Sequence, residues 1–249
     1  MGRWCPLLFG AFSLVALAPP AVAENTDSRL EVGAFSRQAP GGLPPGWKPL
    51  TFQKVPQNTR YELVHDGTQV VVRADAEAGA SGLIRNIRID TREYPVVQWR
   101  WKVANLIERA DVARKDGDDY PARLYVVFRS DHDRLSVWEK IKIFFYRLLY
   151  GEEPPTGAIN YIWDARAPKG TIVPNAYTAR VRMIVVESGA AGLNRWITEE
   201  RNLFEDYRAA FGDEAPPIVG VAIMTDTDNT GETATAWYGD SVFKKGGNR

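Results

Sequence analysis

Residues 218–243 read IVGVAIMTDTDNTGETATAWYGDSVF, and this stretch decides the class of fold. Two β-branched, apolar or aromatic runs, 218–225 and 233–238, enclose an acidic segment made of turn-forming residues. Two such runs separated by a short turn are typical of a β-hairpin. We therefore expect a hairpin that closes a β-sandwich, with Asp226, Asp228 and Glu232 at the tip of its loop.

The rest of the chain repeats the strand pattern. Residues 96–103, VVQWRWKV, alternate so that Val97, Trp99, Trp101 and Val103 share one face, which is typical of a half-buried strand. An Asp66–Gly67 pair between two short apolar runs predicts a hairpin. Further strand-like runs occur at 61–64, 69–74, 123–129, 158–163 and 181–187.

Three segments depart from this strand pattern and are predicted to be helices: 105–114, 135–150 and 198–211. The last segment has Thr198 in the N-cap position and Gly212 just past its end. No strand–helix–strand rhythm is present, so the predicted fold is all-β: an antiparallel, jelly-roll-like β-sandwich with two or three inserted α-helices.

The first 23 residues have the features of a secretory signal peptide. Arg3 precedes an apolar run, and residues 21–23 form an A-x-A cleavage signal. The single cysteine, Cys5, lies in this segment, so the exported chain is predicted to lack disulfides. We expect a periplasmic or secreted protein cleaved after Ala23. Its predicted regions are a disordered segment 24–34, one domain 35–244 and a disordered tail 245–249.

Composition argues against several functional classes. Lys and Arg balance Asp and Glu at 31 each, which does not favour nucleic acid or an anionic membrane as a partner. The two histidines have no neighbours at metal-ligand spacing, and no nucleotide-binding or hydrolase motif occurs. The sequence therefore predicts no zinc site, no organic cofactor and no transmembrane segment.

Six stretches, taken in order, carry a resemblance to a known family. They are WRW at 99–101, GDDYPAR at 117–123, LYGE at 149–152, INYIW at 159–163, VRMIVVES at 181–188 and MTDTDNTGE at 224–232. In these motifs the chain resembles the bacterial exported family known as domain of unknown function 3047, from about residue 35 to residue 243. This resemblance implies no particular activity.

A second resemblance concerns the two ends of the domain. A Gly-Trp pair after a Gly/Pro loop, and a final apolar strand, acidic loop and Gly-Asp-x-x-Phe strand, are similar to galactose-binding-like jelly rolls. That fold includes many carbohydrate-binding modules. The resemblance implies a sugar ligand on a concave face or at loop tips, and a structural calcium ion.

Polar residues on or beside predicted strands are the candidate ligand-binding residues, together with one tryptophan that could stack on a sugar ring. They are Arg100, Asp118, Asp119, Arg123, Asn160, Trp163 and Arg182. If these residues bind a ligand, one carboxylate accepts a hydrogen bond from a sugar hydroxyl, and Arg123 supports that carboxylate from the same face. The alternative for the aspartates beside Arg123 is a solvated turn with an internal Asp–Arg pair. The alternative for Arg100, Asn160 and Arg182 is the solvent-exposed face of an antiparallel sheet. Trp237 is a further candidate for stacking, whereas Trp99 and Trp101 are predicted to lie in the core.

The acidic segment is the candidate metal site. Asp226, Asp228 and Gly231 match positions 1, 3 and 6 of a calcium loop, although Trp237 stands at position 12 instead of glutamate. The predicted calcium ligands are Asp226, Asp228, Glu232 and Asp240. The alternative is a group of aspartates that accept from backbone N–H groups in a tight turn.

The sequence thus predicts a non-catalytic module that binds a saccharide or an envelope glycan. One alternative is a carbohydrate-active hydrolase or lyase that uses Glu187 and Asp226 as its two carboxylates. The other is an envelope assembly protein that docks a partner or the membrane surface through helix 135–150.

Overall fold

The computed structural model describes residues 28–52, 54–129 and 157–246, together with Met1. The predicted helix 135–150 lies outside the described residues, as do the predicted signal peptide beyond Met1 and residues 247–249. Within the described part of the chain, two β-sheets pack face to face, so the predicted β-sandwich is confirmed.

The first sheet, sheet A, contains both ends of the described chain. Its strands are β1 (Arg29–Gly33), β3 (Arg60–Asp66), β4 (Gln69–Glu77), β6 (Val96–Val103), β11 (Ile197–Asn202) and β13 (Thr233–Lys244). The strand order is β11-β6-β13-β4-β3, and β1 also pairs with β13. The hairpin predicted at Asp66–Gly67 joins β3 to β4, with Gly67 at a φ of 62°.

The second sheet, sheet B, contains the strands β2 (Lys48–Leu50), β5 (Ala80–Ile89), β7 (Arg123–Phe128), β8 (Ala158–Asp164), β9 (Ile172–Pro174), β10 (Val181–Ser188) and β12 (Ile218–Asp226). Their order in the sheet is β2-β5-β12-β7-β8-β10-β9. Strands β8 and β10 run parallel, so sheet B is mixed where the sequence predicted antiparallel pairing.

The stretch 218–243 forms two strands, but the predicted hairpin is wrong. Strand β12 pairs with β5 and β7 in sheet B, whereas β13 pairs with β4 and β6 in sheet A. Every residue of β12 is buried, as expected for a strand in the middle of a sheet that is covered on both faces. Residues 227–232 therefore cross from one sheet to the other.

The main core lies between the two sheets. Trp99 and Trp101 of β6 point into it, as predicted, and their rings meet edge to face with centroids 5.4 Å apart. Tyr161 of β8 packs 5.0 Å from Trp99, and Trp163 packs 6.3 Å from Trp101. A second apolar cluster covers the outer face of sheet B, which is why all six residues of β7 are buried.

Helix α1 (Leu203–Phe211) is shorter than the predicted helix 198–211. Its N-cap is Asn202, whose Oδ1 accepts from the backbone N–H groups of Phe204 and Glu205, so the prediction of Thr198 as N-cap is wrong. Residues 197–202 instead pair with β6, because sheet pairing overrides the local capping signal. Gly212 ends the helix in the left-handed region, as predicted.

Two other local predictions are also wrong. The segment 105–114 is a loop, since the Asn105 side chain bonds to the backbone of Thr233 and Thr235 on β13 instead of capping a helix. Residues 29–33, placed in a disordered segment by the sequence, form β1. This strand fills the edge of β13 beyond the end of β4.

Helix α1 is too short to cross a membrane, and no other helix in the described residues has the length and apolar character to do so.

Candidate functional site

The outer face of sheet A carries polar and aromatic side chains in register. Alternation turns Arg73 and Asp75 of β4, Thr235 and Trp237 of β13, and Lys102 of β6 to this face. Strand pairing sets Trp237 between Arg73 on one side and Lys102 on the other. This face is therefore a continuous surface built by neighbouring strands.

A groove of about 700 Å³ opens at one end of this face. It is lined by Gln57, Asn58, Arg60, Asp75, Ala76, Glu77, Ala78 and Thr233. This volume is in the range of ligand pockets, roughly 300–1,000 Å³. The lining offers amide, carboxylate, guanidinium and hydroxyl groups, which are the donors and acceptors that hydrogen-bond sugar hydroxyls.

Asp75 organises the wall between the groove and Trp237. Its carboxylate accepts hydrogen bonds from Arg60 at 3.0 Å, from Arg73 at 2.9 Å and from the Thr235 hydroxyl at 2.9 Å. Partial burial opposes ionisation, but these hydrogen bonds lower the pKa of Asp75. The carboxylate thus holds three side chains on three strands in fixed positions.

Beside the groove, cations and indoles alternate across the sheet; we call Arg73, Trp237, Lys102, Trp196 and Arg100 the cation–indole array. The Lys102 ammonium lies 4.3 Å from the Trp237 ring centre and 5.3 Å from that of Trp196. The Arg100 guanidinium lies 4.5 Å from the Trp196 ring, and that of Arg73 lies 5.8 Å from Trp237. Such contacts stabilise cations over aromatic faces.

Asp66 anchors the middle of the array. Its carboxylate accepts from Lys102 Nζ and from Trp196 Nε1, each at 2.6 Å. The hydrogen bond from Lys102 is the main reason that the pKa of Asp66 is lowered. The array is thus fixed from the turn between β3 and β4.

The seven predicted ligand-binding residues fall into four places. Arg100 belongs to the array. Asp118, Asp119, Arg123 and Asn160 lie on or beside the outer face of sheet B. Arg182 donates to the Ala210 carbonyl of α1 at 2.8 Å.

Trp163 is a correction to the predicted ligand set. It lies in the core with no exposed surface and donates to the Gly189 carbonyl at 3.1 Å. Its ring therefore has no free face on which a sugar could stack.

Arg123 is the centre of a buried polar cluster on sheet B. Its Nε donates to Asp226 Oδ1 at 2.7 Å, and its Nη2 contacts both Asp226 Oδ2 and the Asp118 carbonyl. An Nη1 group donates to the Tyr125 hydroxyl at 3.2 Å, and the guanidinium stacks 4.3 Å from the Tyr120 ring. Burial of these opposite charges makes the alternative interpretation, an internal Asp–Arg pair, the better description of Arg123.

Asn160 lies beside this cluster in a completely buried position. It is the strand partner of Tyr125, and its Nδ2 contacts the Met183 sulfur at 3.2 Å. Among the described residues, its Oδ1 and the buried Tyr120 hydroxyl have no hydrogen-bond partner.

The predicted metal ligands do not come together as a set. Asp119, Asp226 and Asp228 place carboxylate oxygens within 4.8 Å of one another. Glu232 instead accepts from the backbone N–H groups of Glu108 and Arg109, and Asp240 accepts from Ser36. Asp226 is a buried strand end, so the loop tip predicted for it is also wrong.

Negative charge is in excess in this acidic cluster. Asp119 accepts from the backbone N–H groups of Asn229 and Thr230, and in the described chain Arg123 is the one cation in ion-pair contact with Asp226. Burial, followed by the charge of Asp119, raises the pKa of Asp228 to about 6. Burial likewise raises the pKa of Asp226, against the attraction of Arg123.

The two carboxylates of the hydrolase alternative belong to different clusters. Asp226 binds Arg123, whereas Glu187 is paired with Lys169 and interacts with Glu199. Burial and the neighbouring Glu187 raise the pKa of Glu199 to about 7. The pair Glu187 and Asp226 therefore does not form one two-carboxylate site.

Sequence reasoning missed most of the sheet A site. The alternation of 96–103 did place Arg100 and Lys102 together on a polar face, and that signal was sufficient to find them. Asp66 ends β3, whereas Trp196 and the groove residues Gln57 and Asn58 come from separate loops. Periodicity carries no information about them.

Three of the solved structures that match this chain cover most of its length at low sequence identity. The K1 cleaved adhesin domain of Lys-gingipain from Porphyromonas gingivalis W83 is 11% identical, with a TM-score of 0.39, and the match covers 88% of this chain and 99% of that one. The family 30 carbohydrate-binding module of a Clostridium thermocellum cellulosomal cellulase is 8% identical, with a TM-score of 0.40, over 88% and 99%. The Emp47p carbohydrate recognition domain is 8% identical, with a TM-score of 0.45, over 90% and 100%.

Comparison of the sequence with other proteins identifies one family. No curated protein matches the chain. Residues 45–242 match the model of a family described as Protein of unknown function (DUF3047).

Proposed function

Because the chain belongs to the DUF3047 family, whose description assigns no activity, we propose its function from the site: this protein binds a saccharide on the outer face of sheet A. The observation that carries the proposal is the position of the groove. Asp75 and Thr233 line it and lie on the same two strands as Arg73 and Trp237. A polar groove therefore continues into an aromatic surface.

Sugar recognition needs both kinds of surface. Hydroxyl groups hydrogen-bond to fixed polar side chains, and the apolar face of a sugar ring packs against an aromatic ring. The side chains of Gln57, Asn58 and Glu77 are exposed and make no hydrogen bond in the described part of the chain. Asp75 is already fixed by three bonds, so the groove has preorganised and free groups side by side.

The test is binding of purified polysaccharides and oligosaccharides, measured by calorimetry with the native protein and with Trp237→Ala. We expect the variant to lose binding at least tenfold while its melting temperature changes little, because Trp237 is partly exposed. Ile172→Ala, at an exposed apolar position on β9, is the matched control and is expected to bind normally. Equal binding by Trp237→Ala and native protein would contradict the proposal.

A cation at Asp119, Asp226 and Asp228 is a second candidate function, favoured by the excess of carboxylates over Arg123. Their oxygen spacing of up to 4.8 Å fits ligands of Ca²⁺, which binds oxygen at about 2.3–2.6 Å. Asp119 and Asp228 would hold the ion, because Arg123 already occupies both oxygens of Asp226. Calcium should then raise the melting temperature of the native protein and leave Asp228→Ala unchanged; a chelator without effect on the native protein would refute the site.

The predicted signal peptide supports a location outside the cytoplasm, and for that location we propose an envelope glycan as the ligand. Secretion of the native chain, compared with a variant that lacks residues 2–23, tests the location. Docking through residues 135–150 would add a partner or a membrane contact. Pull-down from envelope extracts, with and without charge reversals at Lys140 and Lys142, tests that contact.

A further inference from the structure

We propose that the ligand of this face is an acidic glycan, whose carboxylate or sulfate groups bind the guanidinium of Arg100. This inference rests on the saccharide-binding function proposed above and specifies the class of saccharide. It follows from the way in which the three cations of the array are neutralised.

Two of the three cations have carboxylate partners. Lys102 is paired with Asp66 at 2.6 Å, and Arg73 is paired with Asp75 at 2.9 Å. Arg100 differs, because its Nη2 donates to the neutral Gln69 side chain and its guanidinium lies over Trp196. Within the described part of the chain, Arg100 forms no ion pair of its own, and Asp66, whose charge also acts on Arg100, is already paired with Lys102. The array therefore has three cations and two paired carboxylates, which leaves one positive charge in excess.

The position of Arg100 is fixed by its surroundings. The side chain crosses Gly239 so closely that a Cβ at this position would collide with Nε, Cγ and Cδ of Arg100. Trp196 supports the guanidinium from one side, and Gln69 binds one of its nitrogens. A guanidinium held in place loses little conformational entropy when a ligand binds, so its remaining N–H donors are preorganised.

These free donors match an anion better than a hydroxyl group. A guanidinium has five N–H donors and binds planar carboxylates, or the oxygens of sulfate, through paired hydrogen bonds. A neutral sugar would cover the half-buried Arg100 without supplying the missing negative charge. An acidic sugar supplies that charge while its ring lies over the surface formed by Trp196 and Trp237.

The test compares two probes that share one sugar chain, the first charged and the second neutral: oligogalacturonate and the same oligosaccharide with its carboxylates methyl-esterified. Calorimetry with the full-length protein is expected to show binding of the acid about tenfold or more tighter than that of the ester. Arg100→Gln should remove this preference and keep the residual ester binding. Arg92→Gln, at an exposed arginine paired with Glu214 elsewhere, is the matched control for net charge and should keep the preference.

A third probe, a sulfated oligosaccharide, distinguishes sulfate from carboxylate as the anionic group that Arg100 binds. Tighter binding of the sulfated probe than of oligogalacturonate would assign sulfate as the group recognised by Arg100, and the reverse order would assign carboxylate. Arg100→Lys gives a second variant that keeps the charge and loses the planar donors. It should bind the acid more weakly than the native protein, which tests the inference even if Arg100→Gln does not fold.

The failures of the two proposals are distinguishable. Equal binding of acid and ester by the native protein would overturn the acidic preference and leave saccharide binding intact. Equal losses in Arg100→Gln and Arg92→Gln would also overturn it, because overall charge would then explain the effect. No binding of either probe, or of any neutral glycan, would overturn the proposed function itself.

Discussion

Arg123 of β7 and Asp226 at the end of β12 form a bidentate ion pair, and their side chains are 2% and 3% exposed. Nε of Arg123 donates to Oδ1 of Asp226 at 2.7 Å, and Nη2 contacts Oδ2. The pair links neighbouring strands at the point where the chain leaves sheet B for sheet A. It therefore fixes the start of the crossover 227–232.

Loss of one member of this pair should be strongly destabilising. Arg123→Met leaves Asp226 and Asp118 buried without a counter-charge, and we expect the free energy of unfolding in urea to fall by about 3–5 kcal/mol. The double variant Arg123→Met/Asp226→Leu should recover part of this loss, because Asp226 no longer carries an unpaired charge and only Asp118 remains without Arg123. A single variant that loses less than about 1 kcal/mol, as an exposed pair would, contradicts a structural role.

Asp228 should make stability depend on pH. Its pKa of about 6 lies above the ordinary value, so the folded protein binds this proton more tightly than the unfolded chain. Stability should therefore fall as pH rises from about 4 to about 6 and stay lower above that. We expect Asp228→Asn to match the native protein near pH 4 and to melt at a higher temperature at pH 8, both measured with chelator present. A variant less stable than the native protein at pH 8 would contradict this prediction.

Glu199 should add a second pH dependence at a higher range. Burial, together with Glu187, raises its pKa to about 7, while Lys169 opposes the shift. The stability from this proton is present at low pH and is lost as pH rises through about 7. Glu199→Gln should keep that stability at pH 8, and Glu187→Gln should lower the pKa of Glu199. Carbon NMR of the Glu199 carboxyl group measures the pKa directly, and an unchanged value in Glu187→Gln would refute the coupling.

Gly239→Ala should weaken acidic glycan binding without any change of charge. The added Cβ collides with the Arg100 side chain and displaces the guanidinium from Trp196. We expect a loss in affinity for oligogalacturonate close to that of Arg100→Gln, with ester binding unchanged. A melting curve identifies any destabilisation, since overpacking costs about 1–3 kcal/mol. Full affinity in a variant whose structure shows Arg100 displaced would exclude it as a ligand contact.

The sequence correctly predicted which side chains are buried where the alternation within a single strand decides their direction. The alternation of β6 gave the buried indoles Trp99 and Trp101 and the outward Arg100, because strand geometry alone decides these positions. The same reasoning failed for β12 and β13. A turn signal shows that the chain reverses direction, and it does not show whether the next strand joins the same sheet.

The site residues depended on distant contacts. Arg123 meets Asp226 across 103 positions of sequence, whereas the local Asp–Arg motif left open both a ligand contact and an internal pair with a neighbouring aspartate. Thr198 failed as a helix cap because the residues that follow it pair with β6. In each case the deciding partner lies on another strand, where periodicity carries no information.

The last strand of the described chain, β13, occupies the middle of sheet A and pairs with β6, β4 and β1. During synthesis, the β3–β4 hairpin emerges long before its neighbour β13 exists. Sheet A therefore assembles only after residues up to 244 are available, and a nascent chain that stops before residue 233 would expose the edges of β4 and β6. Folding of this domain is thus coupled to the synthesis of β13, and these unpaired edges are the segments that a chaperone would have to protect until then.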